Sequence, residues 1–217
     1  MTDLSDARQT MVDCQVRPSD VTQYAIIDAM LRVPREAFTP KSLRDIAYAD
    51  SEVSLGNGRA LLPPRTFAKM LEAAQPGPSD LVLDLAPGTG YSSAVLAHCT
   101  GMVIGLEPAE DLAKTAGEVL TALEIDNAVV SAGDPAAGDP VHGPYDVIFV
   151  NGAVEVVPTA LTDQLKDGGR LVAIFRENGA DKCRVLVRAG DAVASRYAFD
   201  ASAPLLPGFG AEAGFVF

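Results

Sequence analysis

Short apolar runs alternate with segments of helical spacing from residue 81 onward. Leu81–Leu85 is an apolar run interrupted only by Asp84, which is typical of a strand buried on both faces of a parallel sheet. Residues 91–98 carry small apolar side chains at helical spacing, and 102–106 form a second apolar run. This succession predicts a strand, a helix and a strand of an open α/β sheet.

The same alternation continues beyond this unit. The further predicted elements are a helix over 108–123, strands over 128–131 and 144–150, a helix over 158–165, a strand over 170–175 after a turn at 168–169, and strands over 183–187 and 195–199 joined by a hairpin turn at 189–191. Proline and glycine in 203–217 argue against a helix there. The pattern gives no placement for that tail.

Residues before this unit have a more helical pattern. Two helices are predicted within 5–38; the second is capped by Ser19 and Asp20 and ends at Val33, because a residue before proline is disfavoured in the α region. Residues 41–55 show no sustained period, and 56–71 predict a shaped loop leading into a helix that begins near Pro64.

The turn after the first strand has the features of a ligand site. Gly88 and Gly90 can adopt positive φ and let the backbone approach a ligand closely. Glu107 ends the next strand, where a carboxylate can accept two hydrogen bonds from a ribose diol. The turn therefore predicts a nucleotide-type site at the carboxyl edge of the sheet; the alternative is a tight turn with an ordinary surface glutamate.

Two residues indicate which nucleotide is bound. The dinucleotide fingerprint requires a third glycine where this chain has Ser93. Asp84 ends the first strand with an acid, which would repel a pyrophosphate and attract a cation. S-adenosylmethionine carries an ammonium and a sulfonium group, so it is favoured over a nicotinamide dinucleotide.

Composition narrows the function further. The 217 residues include 17 basic and 29 acidic side chains, for a net charge of −12, which argues against a nucleic-acid-binding surface. No apolar run is long enough to cross a membrane, and the polar N-terminus does not resemble a signal peptide, so a cytoplasmic protein is expected. The cysteines and histidines lack metal-ligand spacing, which predicts no metal site and buried free thiols at Cys14, Cys99 and Cys183.

Several segments together resemble the protein-L-isoaspartate O-methyltransferase family over nearly the whole chain. The most telling is V-P-R-E-x-F-x-P at 33–40, and the cofactor motif D-x-A-x-G-x-G lies at 84–90, with Ala86 in place of the usual glycine. The other matching segments are 9–32, 47–50, 56–58, 133–134, 144–153 and 164–172. They follow the family's order and spacing.

The resemblance implies an α/β fold of the Rossmann-like class I methyltransferase type, with a largely parallel central sheet flanked by helices and an N-terminal helical cap. Residues 1–76 would form the cap and substrate loop, and 77–217 the S-adenosylmethionine-binding domain, as one compact unit. The oligomeric state is not indicated.

The resemblance also implies the site residues and the reaction. Glu107 would bind the ribose hydroxyls and Asp134 the adenine amino group, with residues 84–91 around the methionine end. The full set of expected cofactor-binding residues is Asp84, Ala86, Pro87, Gly88, Thr89, Gly90, Tyr91, Glu107, Pro108, Gly133, Asp134 and Asn151. The methyl group would pass to an isoaspartyl carboxylate of a protein or peptide. A carboxylate is already ionised at neutral pH, so no general base is required and no catalytic residue is assigned.

The substrate loop departs from the family's pattern. The family has G-Q-T-I-S-x-P where this chain has residues 58–64, so Ala60 and Leu62 replace a threonine and a serine. The residues Ala60, Leu61, Leu62 and Pro63 offer no hydroxyl to an acceptor carboxylate, and burying an unpaired charge is costly. Three hypotheses stay open from the sequence. The first is a methyltransferase that acts on isoaspartyl residues or on another acceptor, and the second is a cofactor-binding protein without methyl transfer. The third is a nicotinamide oxidoreductase, which Ser93 and Asp84 disfavour.

Overall fold

The computed structural model describes residues 4–177 and 179–211 and consists of two sheets and flanking helices. The strands are β1 (Val53–Gly56), β2 (Arg59–Leu61), β3 (Leu81–Leu85), β4 (Met102–Glu107), β5 (Ala128–Ala132), β6 (Tyr145–Val154), β7 (Leu165–Glu177), β8 (Ala180–Ala189) and β9 (Ala192–Asp200). The α-helices are α1 (Leu4–Met11), α2 (Tyr24–Arg32), α3 (Pro64–Ala74), α4 (Tyr91–Ala97), α5 (Glu110–Ala122) and α6 (Thr159–Asp163).

The central sheet has seven strands in the order β5-β4-β3-β6-β7-β8-β9. The strands from β5 to β7 in this order are parallel, and β8 and β9 continue the sheet in antiparallel fashion. Parallel strands are buried by helices on both faces, and accordingly Val82, Leu83 and Leu85 of β3 have no exposed surface. The predicted α/β class with a largely parallel sheet is confirmed.

Two hydrophobic clusters cover the two faces of this sheet. One joins the N-terminal helices to α3 and α4 and includes Met30, Phe38, Phe67 and Tyr91. The other packs α6 and the C-terminal tail against the opposite face and includes Leu161 and other buried residues. The helical cap is therefore part of the main core of the protein.

The C-terminal tail has a defined place as far as residue 211. Phe209 is buried in the second cluster, and the backbone of Ala153 in β6 exchanges hydrogen bonds with Pro204 and Leu206. Residues 212–217 of the tail lie outside the described residues.

Three predicted elements were wrong in detail. The cap at Ser19 and Asp20 is not formed, since α2 begins at Tyr24 after Gln23, which makes no side-chain capping bond. The predicted loop from residue 56 contains β2, which pairs with β1 in an antiparallel hairpin, whereas the helix predicted to begin near Pro64 is confirmed as α3. The turn at 168–169 is absorbed into β7, which begins at Leu165. The hairpin strands have only four and three residues, too few to show a period.

The thiols and the imidazoles are structural or exposed. Cys99 and Cys183 are buried as expected, but Cys14 is exposed, which corrects that prediction. His142 is exposed and hydrogen-bonds Asp139 at 2.6 Å. Within residues 4–177 and 179–211 no group of three or more His, Cys, Asp and Glu side chains could hold a metal ion.

The junction between cap and sheet is bridged by one side chain. Arg170 of β7 donates from Nε to the Ala74 carbonyl at 2.6 Å and from Nη2 to the Gln75 carbonyl. The same Nη2 lies 2.7 Å from Asp80 Oδ2, just before β3. The C-terminal end of α3 is thus held to the central sheet across residues 76–78.

Candidate active site

Asp84 is the centre of a buried polar cluster at the carboxyl edge of the sheet. The hydroxyls of Ser92 and Ser93, from the first turn of α4, each donate to Asp84 Oδ2 at 2.7 Å. Asn151, from β6, donates to Oδ1 at 2.6 Å and to the Leu85 carbonyl at 3.0 Å. The neighbouring strand and helix therefore fix the position of this carboxylate.

Burial raises the pKa of Asp84 from its ordinary value to about 6. The hydrogen bonds from Ser93, Ser92 and Asn151 oppose this rise because they stabilise the ionised form, and Glu107 adds to it by charge repulsion. A cation bound beside Asp84 would stabilise its ionised form further.

The backbone of the turn between β3 and α4 has positive φ angles, a conformation that glycine adopts more easily than other residues. Gly88 and Gly90 have φ of 63° and 95°, and Ala86 has φ of 57°. Positive φ is disfavoured for residues with a Cβ, which explains the glycine usual in this motif at the position of Ala86. A Cβ on Gly88 would lie 2.4 Å from Leu55 Cδ1, so the β1–β2 hairpin lies directly on this turn.

Glu107 ends β4 as predicted, and its carboxylate is completely buried. The Gly88 amide donates to Oε2 at 2.7 Å and the Ala109 amide to Oε1 at 3.2 Å. The guanidinium of Arg59, from β2, contacts both oxygens, with Nε 3.4 Å from Oε1 and Nη2 3.2 Å from Oε2. Arg59 Nη2 also donates to the Ala86 carbonyl. Arg59 therefore contacts both of the oxygens that were expected to bind a ribose diol.

The fold and this edge agree with the comparisons with known proteins. The family model for protein-L-isoaspartate(D-aspartate) O-methyltransferase matches residues 7–200. The chain belongs to this family. A protein-L-isoaspartate O-methyltransferase from Pelotomaculum thermopropionicum is 38% identical over 184 residues, covering 85% of this chain and 80% of the relative. One from Rhodopseudomonas palustris is 40% identical over 171 residues, covering 79% of this chain and 70% of the relative.

Solved structures give the same fold. A protein-L-isoaspartate O-methyltransferase structure with 25% identity has a TM-score of 0.84 and covers 94% of this chain and 67% of its own. A second, from Plasmodium falciparum in complex with S-adenosyl-L-homocysteine, has 20% identity and a TM-score of 0.76, and covers 92% of this chain and 97% of its own. The central sheet and helices are those of a Rossmann-like class I methyltransferase.

The remaining cofactor-binding residues expected from the family lie around these groups. The Gly133 amide donates to the Glu107 carbonyl at 3.1 Å, which places Asp134 just beyond Glu107 at the same edge. The side chain of Asp134 is exposed and accepts a hydrogen bond from the Ala136 amide at 2.9 Å. Thr89 is buried and donates to the Phe38 carbonyl at 2.5 Å, so its hydroxyl already has a partner. Pro87 is buried in the turn, and Pro108 is exposed after β4.

The substrate loop is apolar and buried. Ala60 and Leu61 belong to β2, and Leu62 follows them with little exposed surface, half-buried Pro63 coming next. Leu62 packs in the core cluster of the cap helices, which contains Phe67. The position of the family's serine therefore makes a hydrophobic contact in this protein.

Sequence reasoning missed Arg59, Arg35, Ser92 and Ser93 as site residues. The two serines come two and three residues after Gly90 of a recognised motif, a spacing that could have identified them. Arg59 meets Glu107 across 48 residues of sequence, and no local pattern indicates that pair. Arg35 belongs to the quoted V-P-R-E segment, but only the fold brings it beneath Leu62.

In the part of the chain that the structure describes, none of the helices has the length and apolar character needed to cross a membrane.

Proposed function

We propose that this protein transfers the methyl group of S-adenosylmethionine to the side-chain carboxylate of isoaspartyl residues in proteins or peptides. The observation that supports this most is the paired carboxylates of Asp84 and Glu107 on either side of the Gly88 turn, at adjacent strand ends in a chain of this family. Relatives and solved structures with the same fold carry the name of this activity.

The residues at the edge of the sheet fit the cofactor. We infer that the two oxygens of Glu107 accept hydrogen bonds from the ribose diol, and that exposed Asp134 accepts from the adenine amino group. Buried Asp84 offers a negative charge to the methionine end, whose ammonium and sulfonium are cations. Since Arg59 holds both Glu107 oxygens, the ribose hydroxyls can bind only after Arg59 has moved away.

The protein's contribution to the reaction is placement. S-adenosylmethionine supplies an electrophilic methyl group, and an ionised carboxylate needs no base to attack it. Holding the two groups in line can lower the barrier by roughly 7–11 kcal/mol. The buried loop of Ala60 and Leu62 would exclude water from that encounter.

The test is transfer of a labelled methyl group to an isoaspartyl peptide, with the aspartyl peptide of the same sequence as control. We expect base-labile label on the isoaspartyl peptide alone. Label on neither peptide, with S-adenosylhomocysteine bound normally, would reject the isoaspartyl acceptor.

The cofactor assignment has its own test in Glu107→Ala. Loss of hydrogen bonds to a charged group should weaken S-adenosylhomocysteine binding by about 1.5–3 kcal/mol in calorimetry. Glu110→Ala is the control, because Glu110 is exposed at the start of α5. Equal affinities of the two variants would remove Glu107 from the site. The cytoplasmic location and the absence of nucleic-acid binding remain predictions from the sequence.

A further inference from the structure

Arg35 is a buried cation that lacks a buried anion. Its side chain has no exposed surface, and it donates from Nε to the Ala47 carbonyl at 2.8 Å and from Nη2 to the Leu62 carbonyl at 2.7 Å. Both acceptors are neutral, and across residues 4–177 and 179–211 no carboxylate forms an ion pair with it. Buried charges in proteins are normally paired, so this guanidinium has the capacity to bind an anion.

A second unpaired donor lies beside it. The guanidinium carbon is 4.8 Å from the centre of the Tyr91 ring. Arg35 Nη1 and the Tyr91 hydroxyl are both buried, and neither has the geometry of a hydrogen bond to any described residue. The two groups are neighbours, so the Arg35 guanidinium opposes the rise that burial causes in the pKa of Tyr91. Buried polar groups without partners are rare, and two on one cavity indicate a group that the protein is built to bind.

The cavity that these two residues line lies inside the candidate active site. Leu62, Asn151 and Pro87 also line it, and its volume of about 10 Å³ is enough for one water molecule. Asn151 binds Asp84, and Pro87 belongs to the cofactor turn, so the cavity adjoins the proposed methionine end of the cofactor. Leu62, which forms one wall of the cavity, replaces the family's serine.

We propose that Arg35 Nη1 and the Tyr91 hydroxyl form a carboxylate subsite, and that it holds the side-chain carboxylate of the methyl acceptor. This inference rests on the proposed methyl transfer. A guanidinium and a phenol donating together to one carboxylate make charge-assisted hydrogen bonds, which replace those that Ala60 and Leu62 cannot make. A carboxylate is larger than the water that fits there, so the segment of Ala60 to Leu62 must shift to admit it.

The bonds and charges of methyl transfer balance when the acceptor carboxylate occupies this subsite. One carboxylate oxygen accepts hydrogen bonds from Arg35 and Tyr91, while the other forms a bond to the methyl carbon. The carbon–sulfur bond breaks with its electron pair going to sulfur, so the sulfonium becomes a neutral thioether and the carboxylate a neutral ester. Because the acceptor loses its negative charge during transfer, the subsite binds the substrate more strongly than the transition state. Its loss should raise KM and leave kcat unchanged or slightly higher.

Tyr91→Phe is the first test, because it removes only the unpaired hydroxyl. We expect the KM for an isoaspartyl peptide to rise about fivefold to tenfold with kcat within about twofold, and the Tm to stay equal or rise. Tyr145→Phe is the matched control: its hydroxyl donates to the Asp139 carbonyl at 2.7 Å, away from the cavity. The control should lose Tm and keep KM. An unchanged KM in Tyr91→Phe would overturn the subsite and assign the cavity to a structural water.

A binding measurement separates this inference from the proposed function. Isoaspartyl peptide and its methyl ester are titrated by calorimetry into the S-adenosylhomocysteine complex of wild type and Tyr91→Phe. Preference of wild type for the acid, lost in the variant, supports the subsite even if turnover is absent. Turnover in wild type with no such preference overturns the subsite and leaves the proposed function standing. Absence of both turnover and peptide binding overturns both.

The carboxylate of the cofactor itself is the other possible source of this chemistry. S-adenosylhomocysteine and its decarboxylated analogue are compared for binding to wild type and Tyr91→Phe. If Tyr91→Phe changes the affinity for the two compounds equally, or changes neither affinity, the acceptor is supported as the occupant of the subsite. A loss confined to S-adenosylhomocysteine would overturn the assignment to the acceptor.

Discussion

The two sides of the candidate site are built in different ways. On the sheet side, Asp84 receives hydrogen bonds from α4 and β6, so strands and a helix of the core fix its geometry. On the hairpin side, the chain presents the apolar residues Ala60 and Leu62 and one cation, Arg59, which reaches across to Glu107. The positions held by the central sheet form a buried polar edge, whereas the short hairpin, which is a separate sheet, presents an apolar surface.

The strongest test of this contrast measures how much the ionised form of Asp84 destabilises the folded protein. Its folded pKa of about 6 lies above its ordinary value near 4, so the folded state binds more protons than the unfolded state between these values. The free energy of unfolding should therefore fall, by about 3 kcal/mol from this group, as the pH rises from about 3 to about 8. Urea unfolding of wild type and Asp84→Asn at several pH values measures it. The free energy of unfolding of wild type minus that of Asp84→Asn should decrease as the pH rises. A constant difference would show that ionisation of Asp84 does not destabilise the folded protein.

Restoring the hydroxyls of the hairpin tests the other side. Ala60→Thr with Leu62→Ser should raise isoaspartyl turnover tenfold to hundredfold, the scale of a charge-assisted hydrogen bond of about 1.5–3 kcal/mol. Stability should fall, because Leu62 packs in the core. Ala60→Thr with Leu62→Ala is the matched control, which makes a similar cavity without the serine hydroxyl. Equal turnover of the two double variants would show that the serine position does not hold the acceptor.

Arg59→Gln tests whether the hairpin closes the ribose position. Glutamine is the family's residue there, and it would free Glu107 from a buried ion pair. We expect S-adenosylhomocysteine affinity to rise about tenfold and the Tm without it to fall, since Glu107 loses its partner. Arg65→Gln is the control, because it breaks only the exposed pair with Asp50. Its affinity should stay within about twofold of wild type. Unchanged or weaker binding by Arg59→Gln would show that Arg59 does not compete with the ribose.

Local pattern was enough for the sheet and the turn at Gly88 and Gly90, and insufficient for the contacts across the candidate site. The run Leu81–Leu85 and the acid at Glu107 are readable because strand burial and strand ends leave marks within a few residues. The pair of Arg59 with Glu107 and the position of Arg35 under Leu62 depend on which strands become neighbours. The hairpin of β1 and β2 is too short to leave a period, so its closure over Gly88 could not be predicted.

The bonds of Arg170 have a consequence for how the protein unfolds. Its guanidinium holds the end of α3 and the start of β3 to the middle of the sheet, across the prolines at 76 and 78. A proline-rich segment such as this one ordinarily marks a linker between two domains. With the cap helices sharing the core cluster of the sheet, we expect one cooperative unfolding transition and no independently stable fragment on either side. A helix from a relative could then replace α3 only if its C-terminal end also presented carbonyls to the arginine on β7.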